Sequence, residues 1–99
     1  MATTNLEFET EMNFLTRATK SSIIYDIVAR VMSVPISRIN DESSPETIEN
    51  WDSFHGLILA DELETQFSVK FVLEDLTSVK KVADIKKSLE KYGIMINDE

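Results

Sequence analysis

Ninety-nine residues with 42% hydrophobic side chains, two glycines and two prolines suit one small domain with a modest core and few tight turns. The absence of cysteine excludes disulfides, a thiolate nucleophile and cysteine-bound zinc, so any thiol chemistry must come from a cofactor. The formal charge of −8 is uneven, because no Lys or Arg occurs between Arg38 and Lys70 while Asp41, Glu42, Glu46, Glu49, Asp52, Asp61, Glu62 and Glu64 all do; this sign argues against nucleic acid and anionic membrane and favours partners with basic docking surfaces.

The stretch Met1-Ala2-Thr3-Thr4 has neither the basic region nor the apolar core of a signal peptide. No apolar run approaches the roughly 20 residues that cross a bilayer, so a cytoplasmic protein without membrane insertion is expected. Residues 1–20 read as an N-terminal extension. Within it Thr4-Asn5-Leu6-Glu7 fits a capping box, and Phe8, Met12 and Leu15 would line a short helix from Asn5 to Arg17. The alternation of Leu6 and Phe8 also fits a strand.

A clearer helix follows, capped by Ser21 or Ser22. Its apolar positions Ile24, Ile27, Val28 and Val31 recur at helical spacing, and it ends near Ser33 because Val34 precedes Pro35. Ile36 and Ile39 are expected to anchor the long connection to the core. Ser44-Pro45-Glu46 has the order of a single helical turn, with Ile48 as its buried foot.

The chain then reaches Trp51-Asp52-Ser53-Phe54. Asp52 and Ser53 have the chemistry of an N-terminal cap, and Leu59, Leu63 and Phe67 recur behind them, predicting a helix from Ser53 to Phe67 with a hydroxyl at its positive end. Caps of this kind are by themselves commonly structural. Trp51 reads as a hydrophobic plug under the loop in preference to an exposed docking ring. Val69 and Phe71 are expected to face inward from an extended connector, and Leu73–Leu76 leaves room for one helical turn. Thr77 or Ser78 would cap a last helix with Val79, Val82, Ile85, Leu89 and Tyr92 inward, the lysines Lys80, Lys81, Lys86, Lys87 and Lys91 in water, and Gly93 as its stop.

Asp52-Ser53-Phe54, followed by Leu59, Leu63, Glu64 and Phe67 and preceded by an Ile/Val-rich helix and a long acidic loop, resembles the acyl carrier protein family. The resemblance covers residues 21–93, includes Leu73-Glu74-Asp75-Leu76-Thr77-Ser78-Val79, and leaves 94–99 as a tail. It implies an all-α fold, a four-helix bundle of three longer helices and one short one, with an extra N-terminal helix if residues 1–20 fold. It implies that Ser53 receives a 4′-phosphopantetheine arm from coenzyme A through a phosphopantetheinyl transferase, with magnesium needed only during transfer and Asp52 beside the phosphate and metal. The arm would hold acyl groups as thioesters. The protein itself would then be a carrier, not an enzyme, and would act as a monomer. Its further partners would be an acyl- or aminoacyl-loading ligase and acyl-transferring or condensing enzymes, with fatty acyl, polyketide and aminoacyl cargo all open. An unmodified carrier fold used as a protein-interaction module is the alternative.

Three positions depart from the family pattern on the face where carriers meet enzymes. Phe54 stands for a leucine, His55 for a commonly acidic residue and Ile58 for a usual glutamate. A hydrophobic contact centred on Phe54, Leu57 and Ile58, ringed by Asp61, Glu62 and Glu64, would then choose the partners, unless Leu57 and Ile58 face the core. His55 lacks the companions of a metal site, reads as a surface residue near the arm, and lies two positions from Ser53 on the helix, about 200° around it, so it is no base for a serine hydrolase. Gly56 costs about 1 kcal/mol within a helix and suggests a close approach. Ser68 replaces a usual glycine and puts a left-handed helix stop in question.

Overall fold

The computed structural model describes residues 19–96, so the helix expected over Asn5–Arg17 lies outside the described residues. Within them are four α-helices and no strand: α1 Lys20–Met32, α2 Ser53–Phe67, α3 Leu73–Ser78 and α4 Val82–Lys91, with a short 3-10 turn at Ile36–Arg38. None of these helices is long and apolar enough to cross a membrane.

The first helix starts two or three residues earlier than a cap at Ser21 or Ser22 predicts. Thr19 is the N-cap, its Oγ1 accepting the Ser22 N–H at 3.0 Å while the Ser22 hydroxyl donates to the Thr19 carbonyl at 2.8 Å. A pair of reciprocal bonds three residues apart satisfies one of the free donors of a helix start. Ile24, Ile27, Val28 and Met32 are buried along one face, Met32 in the place expected of Val31, which is only half-buried. Ser33 ends the helix in the left-handed region at φ 61°, and the Val34 N–H reaches the Ala29 carbonyl at 3.0 Å.

The acidic connection is tied down bond by bond. Ile36 is 49% exposed and anchors nothing, because the 3-10 turn carries it outward, whereas Ile39, in extended geometry just after that turn, is buried. The Asn40 N–H donates to the Ser43 hydroxyl at 2.9 Å and the Glu42 N–H to the Asn40 side chain at 2.8 Å. Ser44 accepts from the backbone of Thr47 and Ile48, closing the expected helical turn over the fully buried Ile48. Asn50 Nδ2 donates to the Met32 carbonyl at 2.7 Å, which ties the end of the loop to the end of α1.

At α2 the bounds coincide with those read from the sequence. Asp52 caps the helix through the His55 N–H at 2.9 Å, Leu59 and Leu63 enter the core, and Phe67 packs against it from a half-buried position. Ser68 takes the left-handed stop without glycine, at φ 55°. Val69 and Phe71 turn toward the core from the connector, as expected.

The last helix differs most from expectation. Thr77 and Ser78 do not cap it; their hydroxyls donate back to the carbonyls of Glu74 and Asp75, lengthening α3 to six residues. The first turn of α4 is capped from a distance, the Val82 N–H going to the Ser43 carbonyl and the Ala83 N–H to the Asp41 carbonyl, each at 3.0 Å. Val82, Ile85 and Leu89 are buried, and Gly93, at φ 91°, follows the helix as its stop. Lys86 is not in water as expected. Its Nζ lies 2.8 Å from both the Tyr25 hydroxyl and Asp41 Oδ1 and 4.8 Å from the centre of the Tyr25 ring. Ile94 and Ile96 pack against the core beyond Gly93.

A serine in the left-handed region crowds its Cβ against its own backbone. Ser68→Gly should therefore stabilise the protein by about 0.5–1 kcal/mol, read as a higher urea midpoint at unchanged slope.

Candidate functional site

The N-terminus of α2 is built so that one hydroxyl is presented without a partner. The Asp52 carboxylate takes the free N–H of His55, and its Oδ1 is also 2.9 Å from His55 Nδ1. The backbone bond from His55, followed by the ring contact, holds the Asp52 carboxyl below its ordinary range, so the side chain stays anionic beside the helix start. The His55 ring packs edge-on against Phe54 at 5.3 Å between centroids. Ser53 is the first residue of the helix, exposed, and its hydroxyl makes no hydrogen bond among the described residues.

Beside Ser53 opens a cleft of about 550 Å³. One wall is α2, through Gly56, Leu57, Leu59, Ala60 and Leu63; the opposite side is formed by Phe71, Leu73, Leu76 and Val79 around α3, and Ile85 and Ser88 of α4 close it. Trp51 is buried at its edge, as the plug reading expects. Sequence reasoning anticipated none of this cleft, because its walls come together from four separate segments.

The residues expected to meet partners separate into two groups. Phe54 and Leu57 are 66% and 62% exposed and Ile58 is 36% exposed, so at Leu57 and Ile58 the exposed alternative is the one observed. Asp61 is exposed as well. Glu62 lies near Arg30, at 3.9 Å, in an exposed ion pair of small energetic weight. Glu64 is half-buried and one of its oxygens receives the Phe71 N–H at 2.8 Å, so it positions the connector that lines the cleft.

One buried side chain on the cleft wall escaped the sequence reading altogether. Asp75 is 2% exposed and lies on the cleft wall. Its carboxylate accepts from Lys91, the last residue of α4, from Tyr92, which caps that helix, and from the Val72 N–H at 2.9 Å, so it pins α3 to the end of α4. Its partners are 16 and 17 residues away in sequence, and no local pattern marks an acid at the third position of a six-residue helix as buried. Gly56 is less special than it looked. A Cβ there would stand 3.9 Å from the Trp51 ring nitrogen, an ordinary contact.

No family model and no curated protein matches the chain.

Two measurements check this geometry. The Lys91 bond first, then those of Tyr92 and Val72, lower the Asp75 pKa from 3.8 to about 2. A carboxyl with a folded pKa below its unfolded one contributes stability that is complete above pH 3.8 and is lost as pH falls toward 2. The melting temperature should fall across that window, and Asp75→Asn should be less stable at pH 7 and show a shallower acid dependence. Gly56→Ala should fit, and raise stability by about 1 kcal/mol through helix propensity. Destabilisation on denaturant titration would mean that the cleft wall is tighter than this contact implies.

Proposed function

We propose that the chain is an acyl carrier: Ser53 accepts a 4′-phosphopantetheine arm from coenzyme A, and the protein presents acyl intermediates to the enzymes that elongate or transfer them. The observation that carries this reading is the unpaired, exposed Ser53 hydroxyl at the first position of a 15-residue helix, on the lip of a largely apolar cleft. Three longer helices and one short one, in the order long, long, short, long, agree with the acyl-carrier-like bundle that the sequence resembles.

The residues present fit the arm. A phosphodiester on Ser53 would face the free N–H groups and positive end of α2, an interaction of roughly 0.3–1 kcal/mol at an exposed site. Asp52 holds the helix start in place through the His55 N–H, and its carboxylate would stand beside the phosphate and the magnesium used during transfer. When attached, the arm supplies the thiol that this cysteine-free chain lacks, and acyl groups ride on it as thioesters. Leu59, Leu63, Val79 and Ile85 on the cleft walls shield an apolar chain from water. The carrier needs no base of its own, since Ser53 is activated by the transferase.

Docking follows from the outer face of the same helix. Phe54, Leu57 and Ile58 form an exposed apolar centre on α2, with Asp61 exposed further along the same helix and Glu46 and Glu49 exposed in the acidic connection before it. Such a centre fits transferases, loading ligases and condensing enzymes with an apolar pocket in a basic surround. The exposure of Phe54 and Leu57, with Leu73 on α3 at 74%, also favours a second reading as an unmodified interaction module.

Incubation with coenzyme A, magnesium and a broad-specificity phosphopantetheinyl transferase should add one arm to the intact mass, and Ser53→Ala should abolish the addition. A folded protein that no transferase labels, and whose partner binding survives Ser53→Ala, would instead be the interaction module.

A further inference from the structure

Two serine hydroxyls border the cleft without a hydrogen-bond partner among the described residues, and they differ in kind. Ser53 is exposed and meets water. Ser88, on α4, is 9% exposed and sits on the cleft wall next to Ile85.

A buried serine inside a helix has a ready acceptor in a carbonyl one turn back. Thr65 uses that of Asp61 at 3.0 Å, Thr77 that of Glu74 at 3.2 Å, and Ser78 that of Asp75 at 3.0 Å. Ser88 makes no such bond. Its oxygen is not sealed in the core either, because no fully buried side-chain oxygen among the described residues lacks a partner. Ser88 keeps a small accessibility and is one of the residues that line the cleft.

Two other polar side chains of the cleft wall are committed, while the Trp51 ring N–H at its edge can only donate. Asp75 is held by Lys91, Tyr92 and the Val72 N–H, and the Thr77 hydroxyl by the Glu74 carbonyl. Ser88 is thus an uncommitted donor and acceptor on a wall otherwise made by side chains such as Leu63, Val79 and Ile85. A saturated chain filling the cleft would strip water from that hydroxyl and return nothing. A chain with an oxygen within reach would restore the bond.

We infer that Ser88 sets the class of cargo: the cleft takes acyl chains bearing a hydrogen-bonding oxygen, hydroxy- or oxo-acyl groups, in preference to saturated chains of the same length. This rests on the carrier reading for the means by which cargo is delivered, but the selectivity belongs to the cleft and is measurable without the arm.

The unmodified 99-residue protein is titrated with octanoyl- and 3-hydroxyoctanoyl-N-acetylcysteamine, following the backbone amides of Ser88 and Leu63 by NMR. The hydroxylated thioester should bind about fivefold more tightly, the net worth of one neutral hydrogen bond. Ser88→Ala should equalise the two and Ser88→Thr should keep the preference. Alanine is the better helix former, so the variant should melt no lower than the parent. Equal binding of the two thioesters to the parent, a preference unchanged in Ser88→Ala, or failure of both to perturb the cleft overturns the inference. A failure of Ser53 to take up the arm bears on the carrier reading alone.

Discussion

The structure depends on two backbone carbonyls in the acidic connection, those of Asp41 and Ser43, which receive the first two N–H groups of the last helix. They do for α4 what a side-chain cap does elsewhere, and they come from 39 to 42 residues earlier in the chain. The register of α4 against α1 is set there. From it follow the burial of Val82 and Leu89 and the placing of Ile85 and Ser88 on the cleft wall. The cluster of Tyr25, Asp41 and Lys86 fixes the same joint from the side-chain level. Burial pushes the Tyr25 hydroxyl above its ordinary range, with the Asp41 bond next in weight. For Lys86 burial acts downward, but the bonds to Asp41 and Tyr25 outweigh it and the ammonium is held above an ordinary lysine. One joint thus links α1, the loop and α4.

That joint also divides the negative charge. Asp41 and Glu42 are paired with Lys86 and Lys81, and one oxygen of Glu64 is given to the Phe71 backbone. Asp41 and Glu64 tie elements of the fold together, while the exposed Glu42 pair adds little. Glu46, Glu49, Asp52 and Asp61 remain exposed, and they lie in the segment and helix that carry Ser53. A count of carboxylates along the chain overstates the field available to a partner, because part of it is neutralised within the molecule.

The parts of the fold legible in the sequence are those governed by neighbours in the chain. The helix from Ser53 to Phe67 is one, since its cap, its apolar repeat and its stop all lie within seventeen residues. The buried foot at Ile48 and the plug at Trp51 are others. The parts that differ from the sequence pattern depend on distant partners. Thr77 and Ser78 look like caps for α4, yet that helix is capped by Asp41 and Ser43; Lys86 looks solvated, yet it is held by α1 and the loop. Asp75 and Ser88 are polar by type, and only the assembled bundle shows one to be a buried tether and the other an unsatisfied hydroxyl. Ser53 was legible as a candidate, whereas the cleft beside it required the tertiary structure.

The two sides of the cleft are unequal in how they are supported. The α2 wall is a long helix with Leu59 and Leu63 rooted in the core, while α3 has six residues and is fastened chiefly through Asp75. Local opening free energies follow such differences in support, so hydrogen exchange through sub-global fluctuations would reach α3 well before α2. The enclosed volume is consequently adjustable on one side only. Displacement of the short helix would widen the space while Leu59, Leu63 and the presentation of Ser53 remain as they are, so the capacity of the cleft is set by the strength of one buried tether at Asp75.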